Sequence, residues 1–405
     1  MNRIPYVRWL TAVTMAVAAT ASLADEPIKI GAIDPYSGPL ALYGDEVARG
    51  YELAADEYNA KGGVLKRQIV ILRGDAGTPQ QGIAAVERLV GQDKVDVFTG
   101  TYVSSVSSSA SDAANRYKKL YWDTNALAQD LTERKLPNFI RSGPNATTFA
   151  DVSVNGIKTM VTPLLGKPVN AVTVWIEHED SVFGTSIAKR QVELLESLGV
   201  KVLGVGKHSY KSIDLGDSIM RAASQKPDIW LNTGYVPDTN LLLKAARDQG
   251  FRPPVMITLA TGDTRETLEA LGAEGLDGVY VVGYPQPGLN ESYGPGSSAY
   301  ATAYRAKYKR EPLAPQGMTA YVGMKLLLDT IQKAGSVEPD KVRAAAAAID
   351  LPIGSQATGY GVKFDANMQN VRALPTIVQW QGGKVVTVFP VEARAAGVKL
   401  LAPAK

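Results

Sequence analysis

Strand-like apolar runs and amphipathic helical patterns alternate along most of this 405-residue chain. The predicted strands are 28–33, 68–72, 95–99, 119–122, 170–176, 200–205, 228–231, 255–258 and 278–282, and the helices between and after them are 45–60, 80–91, 104–117, 147–160, 184–198, 215–224, 239–249 and 264–271. The alternation predicts an α/β fold with parallel sheets and helices on both faces. Three further helices, 298–309, 316–333 and 339–348, precede short strands near 361–364, 375–380 and 385–389, the last two as a hairpin.

The first 24 residues have the pattern of an export signal. Arg3 and Arg8 precede an apolar run at 9–19 that is too short to span a bilayer. Ser22-Leu-Ala24 is a small-x-small cleavage site. These features predict a secretory signal peptide that is removed after Ala24, and therefore a periplasmic location; an uncleaved anchor or a buried helix is the alternative.

Composition excludes several classes of function. The chain has no cysteine, so it has neither disulfides nor thiolate chemistry. Its formal charge is +3, which becomes +1 without Arg3 and Arg8, and no basic cluster stands out. A near-neutral chain of this kind argues against nucleic acid or an anionic membrane surface as partner. The roughly 380 residues after the leader predict two lobes rather than one core.

Five segments carry a family resemblance. They are Ser37-Gly-Pro-Leu-Ala-Leu-Tyr-Gly44, Asn59-Ala-Lys-Gly-Gly63, Gly100-Thr-Tyr-Val-Ser-Ser-Val106, Phe183-Gly184 and Gly234-Tyr-Val-Pro-Asp238. In this order they resemble the leucine/isoleucine/valine-binding protein family, the branched-chain-type solute receptors of ABC importers, over nearly the whole chain after the leader. The resemblance implies the type I periplasmic-binding fold, in which two Rossmann-like lobes with parallel sheets are joined by a three-segment hinge.

The resemblance also implies discontinuous lobes. The first lobe is predicted at 25–144 and 284–358, and the second at 145–283 and 359–405. Proline and glycine lie at each crossing, which suits a boundary. A single rigid enzyme domain with two sheets is the alternative.

A candidate anion site follows the predicted strand 95–99. Ser104 and Ser105 open the next helix, where free backbone N–H groups and hydroxyls suit a carboxylate. A plain serine N-cap would explain the same residues. The resemblance implies that Ser104 binds the carboxylate of the ligand, with Ser105 beside it.

The remaining site candidates come from the resemblance and from their positions after strands. They are Tyr43, Tyr102, Trp122, Asn125, Ala126, Phe183 and Tyr235. Asn125 is expected to replace a threonine hydroxyl that family members have where this chain has Leu127. Trp122 either faces the pocket or belongs to the core, and Tyr235 either closes over the ligand or lies on a core-facing loop.

The loop after strand 255–258 departs from the family pattern. Amino-acid-binding members have a glutamate there that pairs with the α-ammonium group, whereas this chain has Ala260 or Thr261. A buried ammonium without an anionic partner costs on the order of several kcal/mol. Asp263 or Asp123 could replace the glutamate. If neither does, an aromatic or aliphatic carboxylate, or an amide, fits better; Thr261 and Asp263 are therefore both site candidates.

Nothing in the sequence predicts an enzyme. His178 and His208 are not at a metal-ligand spacing, and the chain lacks a Gly-x-Ser-x-Gly elbow, a phosphate loop and a dinucleotide fingerprint. We therefore expect no cofactor, no metal and no catalysis. The expected protein is a monomeric receptor that delivers a small carboxylate to an ABC permease and ATPase complex. A ligand sensor for a receptor kinase or chemoreceptor, and a periplasmic amide or ester hydrolase, are the alternatives.

Overall fold

The computed structural model describes residues 26–401, so the predicted signal peptide lies outside the described residues. The first stretch contains β1 (Ile28–Asp34), α1 (Ala41–Asn59), β2 (Ile69–Asp75), α2 (Pro79–Arg88), β3 (Val97–Gly100), α3 (Ser104–Arg116), β4 (Tyr121–Asp123), α4 (Asp130–Glu133) and β5 (Phe139–Arg141). Its strands form a parallel sheet in the order β2-β1-β3-β4-β5. We call this sheet with its helices the first lobe.

The second stretch contains α5 (Ala146–Gly156), α6 (Thr162–Leu165), β6 (Thr173–Glu179), α7 (Val182–Ser197), β7 (Lys201–His208), α8 (Gly216–Gln225), β8 (Ile229–Thr233), α9 (Val236–Asp248), β9 (Val255–Leu259), α10 (Arg265–Leu276) and β10 (Tyr280–Gly283). The five strands β6 to β10 are parallel and lie in the order β10-β9-β8-β6-β7. This sheet with its helices is the second lobe.

The last stretch returns to the first lobe before it completes the second. It contains α11 (Ser297–Tyr308), α12 (Gln316–Ala334), α13 (Pro339–Ala347), β11 (Asp350–Leu351), β12 (Val362–Lys363), β13 (Thr376–Gln381) and β14 (Lys384–Phe389). Strands β13 and β14 form the predicted hairpin, which adds two antiparallel strands beside β10. The α/β class and the two lobes are therefore as predicted.

Helix α12 packs against α1 of the first lobe at very short range. A Cβ on Gly50 would lie 2.1 Å from the carbonyl oxygen of Gly317, so only glycine allows the two helices to approach this closely. At the rim of the same contact, the Glu57 carboxylate accepts from the Tyr321 hydroxyl at 2.5 Å and from Lys325 Nζ at 3.1 Å. Among residues 26–401, no helix combines the length and the apolar character needed to cross a membrane.

Two strands, the four-residue helices α4 and α6, and one boundary differ from the sequence-based expectation. Strands β5 and β11 were not predicted, because runs of three and two residues are too short to show a period. Residues 361–372 contact the first lobe: Arg141 N–H donates to Met368 O at 3.0 Å, and Gln369 Nε2 donates to Gly143 O at 2.9 Å. These contacts argue against a final crossing at 358–359, and we propose that the chain crosses between Arg372 and Thr376.

Candidate functional site

The carboxyl ends of three first-lobe strands meet at one edge of the sheet. Gly100, which ends β3, is the register partner of Ile33 in β1 and of Asp123 in β4. Next to Ile33, the buried carboxylate of Asp34 accepts from Tyr102 N–H at 2.8 Å, and burial raises the pKa of this carboxyl well above its usual value. The Asp34 carboxylate thereby holds the turn between β3 and α3 in place. In an open α/β sheet, ligands bind beyond this edge.

Ser104, the first residue of α3, has a buried hydroxyl with a double role. Its Oγ accepts from the backbone N–H groups of Leu127 at 3.2 Å and of Ala128 at 3.1 Å. A serine oxygen with both acceptor positions used still has a proton to donate. Ser104 therefore fixes the neighbouring loop and has one O–H to offer to an anion at the start of a helix, where N–H groups lack intrahelical acceptors.

The loop that Ser104 holds is also clamped from two sides. The Asp123 carboxylate accepts from the N–H groups of Asn125 at 3.2 Å and of Ala126 at 2.9 Å, and from the Ser107 hydroxyl. Arg141 donates to Ala126 O at 3.0 Å and to the carbonyl oxygen of residue 128 at 2.7 Å. Burial raises the pKa of Asp123 to about 7 and lowers the pKa of Arg141 to about 10.

The second lobe contributes aromatic rings. Phe183 lies in the first turn of α7, and Tyr235 immediately precedes α9. Their ring centroids are 5.2 Å apart. The Tyr235 ring also meets Tyr210 at 5.1 Å, and across the lobes it meets Tyr102 edge-on at 5.7 Å. Such spacings are typical of favourable aromatic pairs.

A small cavity lies between the lobes. It is lined by Tyr102, Ser104, Asn125 and Leu127 of the first lobe, by Phe183, Tyr235 and Ala260 of the second, and by Tyr284, which follows β10. Its volume of about 10 Å³ is roughly that of one water molecule. A solute of amino-acid size therefore enters only when the lobes separate or the tyrosine rings turn.

A hydrogen bond joins the lobes beside the cavity. Tyr43 Oη and Thr261 Oγ1 are 3.1 Å apart, and the Tyr43 ring stacks on Tyr102 with centroids 4.5 Å apart. The Tyr284 hydroxyl, at the crossing that follows β10, donates to the carbonyl oxygen of Asn125. The lobes are thus in contact around the cavity.

Five of the predicted site residues line the cavity, namely Tyr102, Ser104, Asn125, Phe183 and Tyr235. Four more lie beside it without lining it, namely Tyr43, Ser105, Ala126 and Thr261. The side chain of Asn125 is engaged within the first lobe, since its Oδ1 accepts from Thr124 at 2.6 Å and its Nδ2 donates to Gln316 O at 3.3 Å. The expected replacement of a threonine hydroxyl by Asn125 is thus not seen in this geometry.

Trp122 does not line the cavity, and its contacts favour the second of its two predicted places, the core. Its indole N–H donates to Ser142 Oγ at 3.1 Å, and its ring meets Phe364 edge-on at 5.7 Å. Successive side chains of a strand point to opposite faces, so Trp122 lies in the core beneath α12 while Asp123 supports the loop.

Tyr284 lines the cavity but was not among the predicted site residues. It directly follows β10 in the sheet of the second lobe, much as Tyr102 follows β3 in the sheet of the first lobe. The rule that ligands bind beyond the carboxyl ends of parallel strands would have found it, because the residue after each such strand is a candidate.

Neither candidate partner for an ammonium group reaches the cavity. Asp263 accepts from Gln286 Nε2 at 2.7 Å, and its other oxygen has no partner among residues 26–401. Burial raises the pKa of Asp263 to about 6. Asp123 is engaged with its own loop. Of the described residues, the eight that line the cavity are all uncharged.

The described residues contain no group of three or more acidic, histidine or cysteine side chains arranged to hold a metal ion. His178 Nδ1 lies 2.7 Å from Glu179 O, and His208 lies between two carboxylates. Both histidines are therefore engaged within the second lobe.

Residues 27–384 match the family model described as "Periplasmic binding protein". The chain is 35% identical over 386 residues to the Leu/Ile/Val-binding protein homolog 7 of Brucella suis, and the match covers 95% of this chain and 97% of that protein. The chain belongs to the periplasmic binding protein family, among the Leu/Ile/Val-binding protein homologues. The resemblance inferred from the sequence is thereby confirmed.

Solved structures confirm the fold of this family member. The branched-chain amino acid transporter substrate-binding protein LivJ of Streptococcus pneumoniae, in complex with isoleucine, superposes with a TM-score of 0.75 at 21% identity, over 89% of this chain and 100% of that chain. A solute-binding protein of an ABC transporter from R. palustris, in complex with 4-hydroxybenzoate, gives 0.75 at 20% identity, over 90% and 96%. At such identities the likeness concerns the fold.

Proposed function

We propose that this protein is the periplasmic receptor of an ABC importer for a small carboxylate that lacks an α-ammonium group. The observation that carries the proposal is the composition of the cavity wall. It has the Ser104 hydroxyl, which keeps a proton to donate at the start of a helix, and aromatic rings, but no carboxylate.

Charge decides between an amino acid and a simple acid. An α-amino acid brings an ammonium group into the closed cleft, and a buried cation without an anionic partner costs on the order of several kcal/mol. Asp263 lies outside the wall and already accepts from Gln286. A carboxylate faces no such penalty, because Ser104 and the first N–H groups of α3 favour a negative charge.

The aromatic wall narrows the ligand class further. Tyr102, Phe183, Tyr235 and Tyr284 surround the space beyond Ser104. Rings of this kind favour a flat aromatic or compact aliphatic body, through edge and face contacts. The R. palustris protein in complex with 4-hydroxybenzoate has the same fold, which makes an aromatic acid a reasonable candidate.

Binding and release are proposed to follow lobe closure without any chemistry. The ligand stabilises the closed form by its higher affinity for that form, and the permease recognises the closed pair of lobes. The predicted signal peptide and the family support a periplasmic location, with the protein acting as a monomer.

Matched ligand pairs test the ligand class. We would titrate residues 25–405 by calorimetry and thermal shift with 4-methylpentanoate against leucine, and with 3-phenylpropanoate against phenylalanine, with benzoate as a fifth ligand. Each pair differs in the amino group alone. At about 100 times the dissociation constant a ligand should stabilise by roughly 2.7 kcal/mol, a shift of a few degrees.

The expected result is a shift with the acids and none with the amino acids. Tighter binding of leucine than of 4-methylpentanoate would contradict the proposed class. The bound acid should be recovered chemically unchanged. Its conversion to a product would show that the protein is an enzyme and not a receptor.

A further inference from the structure

Behind Tyr235, a histidine bridges two buried carboxylates of the second lobe. His208, the last residue of β7, has Nδ1 3.0 Å from Glu177 Oε1 and Nε2 2.9 Å from Asp238 Oδ2. Both carboxylates are fully buried, and His208 is 6% exposed. An imidazole with an acceptor at each nitrogen donates to both only when it is protonated.

The bridge reaches the cleft through the backbone. The second oxygen of Asp238, Oδ1, accepts from Tyr235 N–H at 2.9 Å. Tyr235 in turn presents its ring to the cavity between Phe183 and Tyr102. A displacement of the Asp238 carboxylate would therefore be transmitted directly to one wall of the ligand cavity.

The charges around His208 favour its protonated form. Burial alone would lower the pKa of His208, but the hydrogen bonds to Asp238 and Glu177 outweigh it and raise the pKa to about 9. His178 on β6 and Lys207 on β7 are the nearby basic groups, and the pKa of His178 is lowered by burial.

The acidic groups near His208 include Glu179 in addition to Asp238 and Glu177. Burial raises the pKa of Asp238 and also that of Glu179, to which Asp238 contributes repulsion. Trp175 Nε1 donates a hydrogen bond to Glu177 at 3.3 Å but brings no positive charge. Without a proton on His208, two or more carboxylates would lie close together in a buried site, and like charges there are costly.

We propose that His208 is a positioning residue for the ligand site: its protonated ring fixes Asp238, Asp238 fixes Tyr235, and the affinity for the ligand falls when the ring loses its proton. The proposal rests on the proposed function for its ligand. Because the folded-state pKa is raised, the stabilisation is complete below about pH 6.5, the ordinary value for histidine, and is lost as the pH rises through about 9.

Benzoate is the probe for the test, since its carboxyl group titrates near pH 4 and stays charged throughout. We would measure its dissociation constant by calorimetry from pH 7 to 10 in the wild-type protein, in His208→Gln and in His178→Gln. The wild-type constant should rise about tenfold over this range, and His208→Gln should be about tenfold weaker at pH 7 and flat with pH. His178→Gln, which removes the other histidine, should keep the wild-type profile.

A wild-type dissociation constant that does not change between pH 7 and 10 would overturn the proposal, as would an unchanged pH profile in His208→Gln. If His208→Gln does not fold, Asp238→Asn replaces it, because an amide oxygen can still accept from Tyr235 N–H while its NH₂ donates to a neutral ring. The same flat profile is expected.

A ligand-free measurement separates this proposal from the proposed function. Urea unfolding of the wild type should lose free energy between pH 7 and 10 relative to His208→Gln, whatever the ligand is. If benzoate does not bind but this difference is present, the ligand class is wrong and the bridge stands. If benzoate binds with no pH dependence, the bridge does not position the site.

Discussion

The two walls of the cleft are held in place by different chemistry. In the first lobe, Asp123 accepts backbone N–H groups of one loop while Arg141 donates to carbonyl oxygens of the same loop. In the second lobe, the position of Tyr235 depends on one carboxylate, Asp238, which is itself paired with one imidazole, that of His208. Several independent hydrogen bonds fix the loop of the first wall, whereas the backbone N–H of Tyr235 in the second wall is held by one carboxylate that is itself held by one imidazole.

This difference predicts that the geometry of the second wall, and not that of the first, changes with pH. Asp123 has a pKa of about 7, but its proton can lie on Oδ2 next to the Ser107 hydroxyl, which leaves Oδ1 to accept the loop N–H groups. Protonation therefore keeps the loop in place. Deprotonation of His208 must break one of its two hydrogen bonds, because each of its nitrogens faces a carboxylate.

Removing the guanidinium of the first wall should have the largest effect. Arg141→Met would remove the donor to the buried carbonyl group of Ala126 and to Gln369 Oε1, to which Arg141 donates at 2.5 Å. It would leave Ala128 O with only the Leu131 N–H at 3.4 Å. Loss of one partner from a buried charged network costs about 3–5 kcal/mol. Urea unfolding should show a loss of this size.

The control is Arg265→Met, in a pair with Glu269 whose side chains are 73% and 65% exposed. Exposed pairs contribute about 0–1 kcal/mol, so this variant should unfold nearly as the wild type does. A loss at Arg141 no larger than at Arg265 would mean that the loop is held by other contacts.

Removing the hydroxyl of Ser104 should weaken ligand binding next. Ser104→Ala deletes the proposed donor to the carboxylate, for a loss of about 1–3 kcal/mol in the binding free energy of benzoate. It also removes the acceptor of two backbone N–H groups, so the free energy of unfolding should fall as well, by about 1–2 kcal/mol.

Ser105→Ala is the matched control, because Ser105 lies in the same helical turn and does not line the cavity. Calorimetry should give it wild-type affinity. Full affinity in Ser104→Ala would place the anion site elsewhere, and equal losses in both variants would indicate a helix effect.

The fold followed from periodicity, because most strands and helices are long enough to show it. The α/β alternation, the parallel strands and the final hairpin were all visible in the pattern. Strands β5 and β11 and helices α4 and α6 were missed, because they are too short for any period. The proposed place of residues 361–372 on the first lobe depends on the long-range partners Arg141 and Gly143.

The sequence predicts which residues lie near the cavity, but it does not predict where their side chains point. Residues shortly after strands, such as Tyr102 after β3 and Tyr235 after β8, could be located, since ligands bind beyond the carboxyl ends of the strands in each sheet. The direction of a side chain could not be predicted, so Trp122 stayed open between pocket and core, and Asp263 could not be assigned. The bridge at His208 was invisible, because its partners Glu177 and Asp238 are about 30 residues away on either side.

The acid beside the second wall gives a smaller and pH-dependent effect. The pKa of Asp263, about 6, is raised above the usual value, so its folded form binds a proton more tightly than the unfolded chain does. Its stabilising effect is therefore present below about pH 4 and is lost as the pH rises through about 6. Asp263→Asn should remove that dependence.

Urea unfolding at pH 4.5 and pH 7.5 checks this prediction. Relative to the wild type, Asp263→Asn should gain about 1–2 kcal/mol on going to the higher pH. Its affinity for benzoate should stay at the wild-type value, since Asp263 does not line the cavity. Gln286→Glu should have the opposite effect on the pH dependence and increase it, because it replaces the amide donor to Asp263 with a second acid. A gap between Asp263→Asn and wild type that does not move with pH would mean that Asp263 stays ionised in the fold.

The smallest effect is expected where the two walls touch. Tyr43→Phe keeps the ring stacked on Tyr102 and removes the hydrogen bond to Thr261, which is formed only when the lobes meet. A hydrogen bond between neutral groups contributes about 0.5–1.5 kcal/mol, so benzoate affinity should fall by less than about tenfold.

Thr261→Val should lower the binding free energy of benzoate by the same amount. The double variant should lose no more than either single variant, because both changes remove the same hydrogen bond. Losses that add fully would show that Tyr43 and Thr261 act separately, and that closure depends on the aromatic contacts rather than on this bond.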